Sequence, residues 1–249
     1  FEVYERTELS VGYERQRELR SWTETDELDD DIFRAGFRTR FLRWADFRID
    51  GMYWRRDAGD YFYQAPVVWG FSPEHVATVP PDERFENLPP LRKFNYTDRD
   101  RSSVDARLVL MPLESASLGF QLGWKSDEYD GSELGLRSRD ALHWGVDASW
   151  SPLESLTAYA WYTQERYESK VRGRQFSNLG QAFDETRNWR QEDFDDIDTL
   201  GVGAEWTGFE ERLRLRADYA FSWAKERIDV QAGPSLAATA PFPDDRTYL

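Results

Sequence analysis

The stretch Ser117-Leu118-Gly119-Phe120-Gln121-Leu122-Gly123-Trp124-Lys125 carries a large apolar side chain at every even-numbered position and a small or polar residue between. Successive side chains of a β-strand point to opposite faces, so this period of two predicts a strand with one apolar and one polar face. The pattern returns at Phe33-Ala35-Phe37-Thr39-Phe41 and at Leu142-Trp144-Val146-Ala148-Trp150. The repetition predicts a protein built mainly from β-sheet.

Six further segments repeat the pattern, which predicts about nine strands of roughly ten residues. They are Leu9-Val11-Tyr13, Phe47-Ile49-Gly51-Tyr53, Val104-Ala106-Leu108-Leu110, 157–163, Leu200-Val202-Ala204-Trp206 and Leu213-Leu215-Ala217-Tyr219-Phe221. In segment 157–163 both faces carry apolar residues, with Tyr159 and Trp161 on one and Ala158, Ala160 and Tyr162 on the other. We assign Tyr159 and Trp161 to the apolar face.

The composition combines a strongly polar average with many aromatic residues, which does not fit a chain that is surrounded by water alone. The 249 residues include 47 Asp and Glu against 32 Lys and Arg, giving a formal net charge of −15, and the mean hydropathy is −0.76. Nevertheless there are 16 Phe, 12 Tyr and 11 Trp, in which a disordered chain would be poor. Sorting each strand by face resolves the conflict, because the apolar residues form one wall and the acidic excess falls mainly in the connections.

Several classes of protein are excluded. The chain has no cysteine, and therefore no disulfide, thiolate zinc site, CxxCH haem attachment or cysteine nucleophile. The acidic excess argues against binding nucleic acid. No run of about 18 apolar residues predicts a transmembrane helix. His75 and His143 are the two histidines, and neither belongs to a convincing catalytic set, so we predict no enzyme activity.

Connections between the predicted strands alternate in length. Tight turns are predicted at 42–46, 112–116, 151–155 and 208–212, and long polar loops at 18–31, 56–102, 126–141, 167–196 and 225–246. Trimmed turns at one end and elaborated loops at the other are typical of outer-membrane β-barrels. The predicted fold class is therefore all-β, a transmembrane antiparallel up-and-down β-barrel.

The distribution of charge supports this fold. The face assigned to lipid carries no charged residue on these strands, and an Arg or Lys there would cost about 2–4 kcal/mol at mid-bilayer. The opposite, lumen face carries Arg34, Arg38, Arg40, Arg48, Asp50, Asp105, Arg107, Lys125, Asp147, Glu205, Arg214, Arg216 and Asp218. Aromatic residues gather at strand ends as in an interfacial girdle: Tyr13, Tyr53, Trp124, Trp150, Trp206 and Trp223.

A soluble β-sandwich or propeller is the alternative, because its strands alternate as well. Two copies of Pro-Leu-Glu-Ser begin at Pro112 and Pro152, close to the period of a propeller blade. The aromatic strand ends favour the membrane barrel.

The predicted strands do not add up to a complete barrel. Nine is odd, whereas single-chain bacterial barrels generally have even numbers. The sequence ends at 246–249, where a new strand should begin, and residues 1–6 lack a signal-peptide pattern. We expect residues 1–249 to be one segment of a larger barrel, incomplete at both ends, with a long extracellular-type loop at 56–102.

The order and spacing of five segments resemble the C-terminal part of the MtrB/PioB family of outer-membrane β-barrels. The segments are 88–94 (LPPLRKF), 98–101 (DRDR), 165–169 (ERYES), 198–206 (DTLGVGAEW) and 241–244 (PFPD). The resemblance implies a porin-like sheath in the outer membrane of a Gram-negative bacterium. It also implies a periplasmic multihaem, decahaem-type c-type cytochrome in the lumen, through which electrons cross the membrane, and leaves room for an extracellular cytochrome as a second partner. The runner-up is a diffusion porin or substrate-specific channel.

Under this resemblance the lumen charges are candidate contacts for the partner, since guanidinium groups bind carboxylates and haem propionates bidentately. Pairing of the arginines with acids of the wall itself is the alternative. Gly119, Gly123, Gly145, Gly201 and Gly203 would let a bulky plug approach the wall, or would relieve crowding. The candidates are Arg34, Arg38, Arg40, Asp105, Arg107, Lys125, His143, Asp147, Glu205, Arg214, Arg216 and Asp218.

The chain is expected to carry no cofactor of its own, with haem c on the partner. Acidic runs at 26–31, 192–198 and 244–245 could hold Ca²⁺ or Mg²⁺, including ions that bridge to lipopolysaccharide, but they lack an ordered ligand spacing, which favours solvated loop charge. The loop 56–102 is too long to be idle. We expect it to fold over the barrel mouth or to contact an extracellular partner.

Overall fold

The computed structural model describes residues 7–209, 212–237 and 245–248, whose strands form one antiparallel sheet. Its ten strands are hydrogen-bonded in chain order, as in an up-and-down barrel wall and unlike the separate blades of a propeller. The nine predicted strands are confirmed, and a short tenth pairs with the ninth. Residues 1–6 and 241–244 lie outside the described part of the chain. The strands are β1 (Thr7–Leu19), β2 (Glu27–Leu42), β3 (Ala45–Ala58), β4 (Arg99–Leu113), β5 (Ala116–Glu128), β6 (Gly135–Leu153), β7 (Leu156–Arg174), β8 (Asn188–Gly208), β9 (Leu213–Ala232) and β10 (Asp245–Tyr248).

The register places the apolar alternates of β1–β9 on one face, the outer face. Phe33 lies opposite Tyr13 and Tyr53, and Leu122 lies opposite Ala106 and Trp144. On the described strands this face is free of charged residues over nine to eleven residues of β2–β9, the length that crosses a bilayer as a tilted strand. These stretches, called the outer band, are 7–13, 33–41, 45–53, 102–110, 116–126, 142–150, 156–164, 200–208 and 213–223.

Aromatic residues lie at both ends of the outer band, as the sequence predicts. At the loop end, three phenols donate hydrogen bonds to carboxylates just beyond the band, for example Tyr13 to Asp31 at 2.5 Å and Tyr53 to Asp100 at 3.0 Å. Trp150 and Trp206 lie at the turn end. An aromatic ring with a polar tip suits the boundary between hydrocarbon and water.

The strands are longer than the predicted ten residues. β7, β8 and β9 contain 19, 21 and 20 residues, so they extend beyond the outer band by about 30–40 Å at roughly 3.3 Å per residue. The acidic runs were predicted to lie in loops, and this is wrong for residues 27–31 and 192–198, which belong to β2 and β8. A strand with polar residues on both faces shows no alternation and therefore resembles a loop in the sequence. Outside the membrane such a strand is stable, because both of its faces can be solvated by water.

The assignment of Tyr159 and Trp161 to the lipid face is also wrong. Trp150, on the outer face, pairs with Ala158, which puts Ala158, Ala160 and Tyr162 outside and both larger rings on the charged face. The cause is a β-bulge between Trp150 and the turn, which shifts the register by one residue and so exchanges the faces of β7.

The long connection between β3 and β4 covers residues 59–98, slightly less than the predicted 56–102, because β3 continues to Ala58 and β4 begins at Arg99. It contains two short helices, α1 (Ala65–Gly70) and α2 (Pro73–Thr78), and two single 3-10 turns. A third short helix, α3 (Leu179–Ala182), lies between β7 and β8. Among the described residues, no helix has the length and apolar character to cross a membrane. Residues 59–98 are called the cap below.

Candidate functional site

The charged, inner face of the sheet has two parts that differ in burial. Beside the outer band its side chains are exposed, and we call this part the open wall. On the loop side of the band, the even-numbered residues Leu28, Asp30 and Ile32 are only 0%, 6% and 3% exposed. Their odd-numbered neighbours are less buried. The cap therefore packs on the inner face, and we call the covered part the capped mouth.

Most candidate arginines of the open wall pair with acids of the same wall, which was the alternative that the sequence left open. Arg34 bonds Glu14 at 2.7 Å, and Arg38 and Arg40 approach Asp46 at 3.6 and 3.7 Å. On β9, Arg214 meets Glu205 at 3.2 Å and Arg216 meets Asp218 at 2.7 Å. The arginine side chains of these pairs are 45–71% exposed. Exposed pairs of this kind are worth only about 0–1 kcal/mol, so a partner can replace one member.

Three arginines lie side by side across β2, β3 and β4. Arg38 is opposite Arg48, which is opposite Arg107. Arg48 bonds Asp50 on its own strand, whereas Arg107 makes no ion pair within the described residues. Like charges directly opposite each other destabilise a sheet. Arg107 is thus the candidate with most to gain from an external carboxylate.

Two of the candidate acids also lie opposite residues that carry no positive charge. Asp105 lies opposite Asp50, another acid, and Asp147 lies opposite Trp161. Neither makes an ion pair with the part of the chain that is described. Lys125 reaches Asp127 at 3.6 Å, at the edge of the capped mouth.

The lumen glycines make room for neighbouring side chains of the wall. A Cβ on Gly119 would lie 2.2 Å from Asp147 Oδ1, and one on Gly123 would lie 1.9 Å from His143. The space above these residues is therefore already filled from β6. Relief of crowding, the second of the two explanations offered by the sequence, accounts for these positions.

Tyr159 and Trp161 are inner-face residues that the sequence prediction missed. The Trp161 ring lies over Gly201, whose added Cβ would come within 2.0 Å of it, and the Tyr159 ring lies over Gly203. The two rings are nearly parallel, at 22°, with centroids 6.2 Å apart. They form a flat aromatic surface on an otherwise small or charged wall.

In the capped mouth, the same residue types form buried pairs. Asp30 accepts hydrogen bonds from Arg56 Nε at 2.9 Å and Trp54 Nε1 at 2.8 Å. Burial acts to raise the pKa of Asp30, but the hydrogen bonds from Arg56 and Trp54 and the charges of Arg56 and Arg99 outweigh it and lower the pKa. The carboxylate is held in its charged form.

A second buried pair joins β4 to β5. Arg101 binds Asp127 through Nε at 2.5 Å and Nη2 at 3.0 Å, and Asp127 is 1% exposed. The Trp54 ring lies beneath Arg101 and beneath Arg99, whose guanidinium carbon is 4.0 Å from the ring centroid. Burial, together with the charges of Arg101 and Arg56, lowers the pKa of Arg99.

The cap is attached to three separate connections of the sheet. Lys93 pairs with Glu24 between β1 and β2, which raises the pKa of Lys93. Leu91 bridges to Leu134 between β5 and β6, and Phe85 stacks edge-on against Phe183 between β7 and β8. The cap thus reaches across most of the sheet, as expected for a connection that folds over the mouth of a barrel.

Metal binding finds little support in the geometry. Among residues 7–209, 212–237 and 245–248, no three His, Asp or Glu side chains come together as a metal site. The acidic residues of β2 and β8 alternate between faces, which separates neighbours in sequence. The structure gives the calcium prediction no ligand set there.

Comparison with known proteins gives a consistent assignment. A sequence model of the outer-membrane β-barrel porins designated MtrB/PioB matches residues 1–249. Outer membrane protein MtrB of Shewanella baltica (strain OS185) is 27% identical over 226 residues, covering 90% of this chain and 29% of that protein. The chain therefore spans less than a third of this relative's length.

Among solved structures, a mutant of the ferric enterobactin receptor PfeA of Pseudomonas aeruginosa aligns with a TM-score of 0.60 at 11% identity. The alignment covers 97% of this chain and 35% of the receptor. At this identity the likeness concerns the fold alone, which is the curved wall of an outer-membrane β-barrel.

Proposed function

The chain belongs to the MtrB/PioB family of outer-membrane β-barrel porins, and from this premise we propose that it is part of a sheath that holds a multihaem c-type cytochrome in its lumen. Electrons would cross the outer membrane through the haems of that cytochrome. The chain itself would insulate the cytochrome from lipid and fix its position, without catalytic activity or a cofactor of its own. Family membership is the observation that carries this proposal.

The likeness to a part of a large barrel leaves room for a partner in the lumen. Nearly the whole chain superposes on about a third of a larger outer-membrane receptor. Small barrels fill their interior with their own side chains, but wide barrels leave a lumen that holds water or a plug. A barrel of this curvature has room for a folded protein.

The composition supports a redox centre that is carried by the partner. Covalent haem attachment uses a CxxCH motif, and the chain has no cysteine. In such a division of labour the protein supplies binding, orientation and electrostatics while the cofactor supplies the chemistry.

The open wall offers charges suited to gripping such a partner. Its arginines are exposed, so their ion pairs with acids of the wall contribute little to stability, and Arg107 lacks an ion pair among the described residues. Carboxylates or haem propionates of a luminal protein could take the place of Asp46 or Asp50. The net gain per exchange is small, so many such contacts together would position the partner.

Co-purification tests the proposal. The intact protein is tagged, extracted in detergent from the native outer membrane, and analysed for c-type haem absorbance and for the mass of associated chains. We expect a multihaem cytochrome in fixed ratio to the barrel, protected from added protease.

A diffusion porin or substrate-specific channel makes the opposite prediction. A haem-free preparation that conducts ions freely in planar bilayers would contradict the sheath. A preparation that has lost its haem and binds haem protein again when purified cytochrome is added would support the sheath.

A further inference from the structure

Three arginines of the capped mouth surround the ring of Trp54. The guanidinium carbons of Arg99, Arg101 and Arg56 lie 4.0, 5.1 and 5.6 Å from the ring centroid. Arg56 on β3 lies directly opposite Arg99 on β4, and Trp54 lies directly opposite Arg101. The ring attracts each cation, but like charges on facing positions of a sheet repel each other. A stable cluster therefore needs acids.

Two of the three arginines are neutralised in the same way. Arg56 donates from Nε and Nη2 to the two carboxylate oxygens of Asp30, at 2.9 and 3.1 Å. Arg101 donates from the same two nitrogens to Asp127, at 2.5 and 3.0 Å. Nε and Nη2 form one edge of the planar guanidinium group, and their parallel N–H bonds match the two oxygens of a carboxylate. In this cluster that edge binds a carboxylate twice.

Arg99 presents the same edge without such a partner. Its Nε and Nη2 are buried, and neither has a hydrogen-bond partner among the described residues. The acids next to it in sequence bind elsewhere. Asp98 accepts a hydrogen bond from the backbone N–H of Ala58 at 2.8 Å. Asp100 lies on the outer face, where it accepts one from the Tyr53 hydroxyl at 3.0 Å. A buried charged donor without an acceptor is unfavourable.

The charge of the cluster is unbalanced as well. Three arginines face two acids, Asp30 and Asp127, and Lys125 lies 3.6 Å from Asp127. Burial and the charges of the two neighbouring arginines lower the pKa of Arg99. An additional anion beside Arg99 would reduce the excess of positive charge.

We propose that the Nε–Nη2 edge of Arg99 is a receptor for a small carboxylate anion, and that binding of this anion opens the cap. The chemical class follows from the two neighbouring pairs, in which the same edge binds the carboxylates of Asp30 and Asp127. The ligand is a small ion because the edge lies beneath the cap. The inference does not depend on a cytochrome in the lumen.

The position of the edge links binding to opening. The 3-10 turn Phe94–Tyr96 of the cap lies on the cluster, where Arg56 Nη1 donates to the carbonyl oxygen of Asn95 at 3.3 Å. Thr97, which follows this turn, is 0% exposed. Because Nε and Nη2 of Arg99 are buried while the cap is in place, an anion reaches them only in the open form. A ligand that binds one of two forms shifts the population towards that form.

A thiol beneath the cap reports the opening. Thr97→Cys replaces a buried hydroxyl that makes no hydrogen bond with the described residues by a group of similar size. The intact protein in detergent is treated with the uncharged reagent N-ethylmaleimide, and the modified peptide is quantified by mass spectrometry. Rates are compared in sodium acetate and in sodium chloride at equal pH and ionic strength. Glu86→Cys, at an exposed position of the cap, corrects for any effect of the salts on the thiol reaction.

We expect acetate to raise the modification rate of Thr97→Cys about tenfold over chloride, at a concentration of about ten times its dissociation constant for the open form. The rate for Glu86→Cys should be equal in both salts. Equal rates for Thr97→Cys, or a slower rate in acetate, would overturn the proposal.

Three arginine variants in the Thr97→Cys background assign the effect to a residue. Arg99→Met removes the charge and the edge, so acetate should have no effect, and the basal rate should fall because an unpaired buried charge is gone. Arg99→Lys keeps the charge without the planar edge and should lose most of the preference for acetate. Arg139→Met is the matched control. It removes an exposed arginine of the same face, opposite Asp127, and should retain the full effect.

The heat-modifiable mobility of each barrel on gels checks its folding, and Arg99→Lys decides the outcome if Arg99→Met does not fold. An acetate effect that persists in the folded Arg99 variants shows that the anion acts elsewhere, and the proposal is then wrong. Loss of the effect in Arg139→Met as well as in Arg99→Met would also contradict it, because the response would then follow the total charge of the face and not the receptor edge.

Discussion

The open wall and the capped mouth contain the same types of residue, arginine and aspartate, but only the capped mouth is covered by the cap. In the mouth, Asp127 and Asp30 are 1% and 6% exposed and each binds one arginine through two nitrogens. In the open wall, Arg216 and Asp218 make an equally good bidentate pair, but the Arg216 side chain is 60% exposed. Burial, not pairing, therefore decides whether a charge stabilises the fold or stays available to a partner.

Removal of a buried acid from the capped mouth should cause the largest loss of stability. Asp127→Ala leaves Arg101, whose side chain is only 18% exposed, without its counter-charge, and we expect a loss of about 3 kcal/mol in the free energy of unfolding. The matched variant Asp105→Ala removes an exposed acid from the neighbouring strand, without an ion pair in the described structure, and should change stability by less than about 0.5 kcal/mol.

Urea unfolding of the intact protein in detergent measures both variants. The double variant Arg101→Met with Asp127→Leu should recover part of the loss, because it removes both buried charges. If Asp127→Ala and Asp105→Ala lower the free energy of unfolding equally, burial under the cap does not make the two regions differ in stability.

Acid should loosen the capped mouth once it neutralises Asp30. The pKa of Asp30 is lowered in the folded state, so its contribution to stability is complete above its unfolded pKa of about 3.9. That contribution is lost as the pH falls through the lower, folded pKa. We expect the cap to move away from the sheet in this range.

Residues 1–249 contain no cysteine that would compete for a label in this part of the protein. Spin labels on cysteines introduced at Glu86 in the cap and Glu128 on β5, both exposed, report the distance between cap and sheet as a function of pH. Asp30→Asn should show the acid distance distribution already at neutral pH. A distance that stays constant through the titration would rule out the buried Asp30 as a support of the cap.

The smallest effect on stability is expected in the open wall. Replacing Arg38 and Arg40 by Gln breaks two long, exposed contacts to Asp46, each worth at most about 1 kcal/mol. The same variant should weaken retention of the luminal cytochrome at low salt and make retention less salt-dependent, since two positive charges are lost. Unchanged retention at every salt concentration would exclude these arginines as partner contacts.

Much of the membrane-level architecture could be predicted because lipid imposes a strict alternation on each strand. The outer face of β2 and β5, the tight turns and the aromatic ends all follow from that constraint. Beyond the band both faces meet water, so the acidic run 192–198 carries no alternation and looks like a loop although it lies in β8.

The face of β7 could have been found from the repeated turn. In the first Pro-Leu-Glu-Ser turn, Leu110 pairs with Leu118 across a bulge, two residues before and six residues after Pro112. The same offsets from Pro152 give Trp150 and Ala158, which is the observed pair. Apolar side chains on both faces obscured this relation, because periodicity alone does not count the extra residue of a bulge.

The capped mouth could not be predicted beyond its existence. Its core joins Leu88, Leu134 and Ala182, from three connections far apart in sequence. No local pattern marks Asp30 or Asp127 as buried, since each lies among exposed charges of the same type. Such long-range contacts appear only when the strand order is known.

Electron transfer across a sealed membrane tests the central claim most directly. The intact barrel is reconstituted into liposomes that contain a reduced redox dye, with and without the co-purified cytochrome, and an impermeant oxidant is added outside. We predict rapid oxidation of the dye only with both proteins present, without leakage of an entrapped neutral solute. Leakage of that solute, or oxidation that is equally fast without the cytochrome, would contradict a sealed sheath.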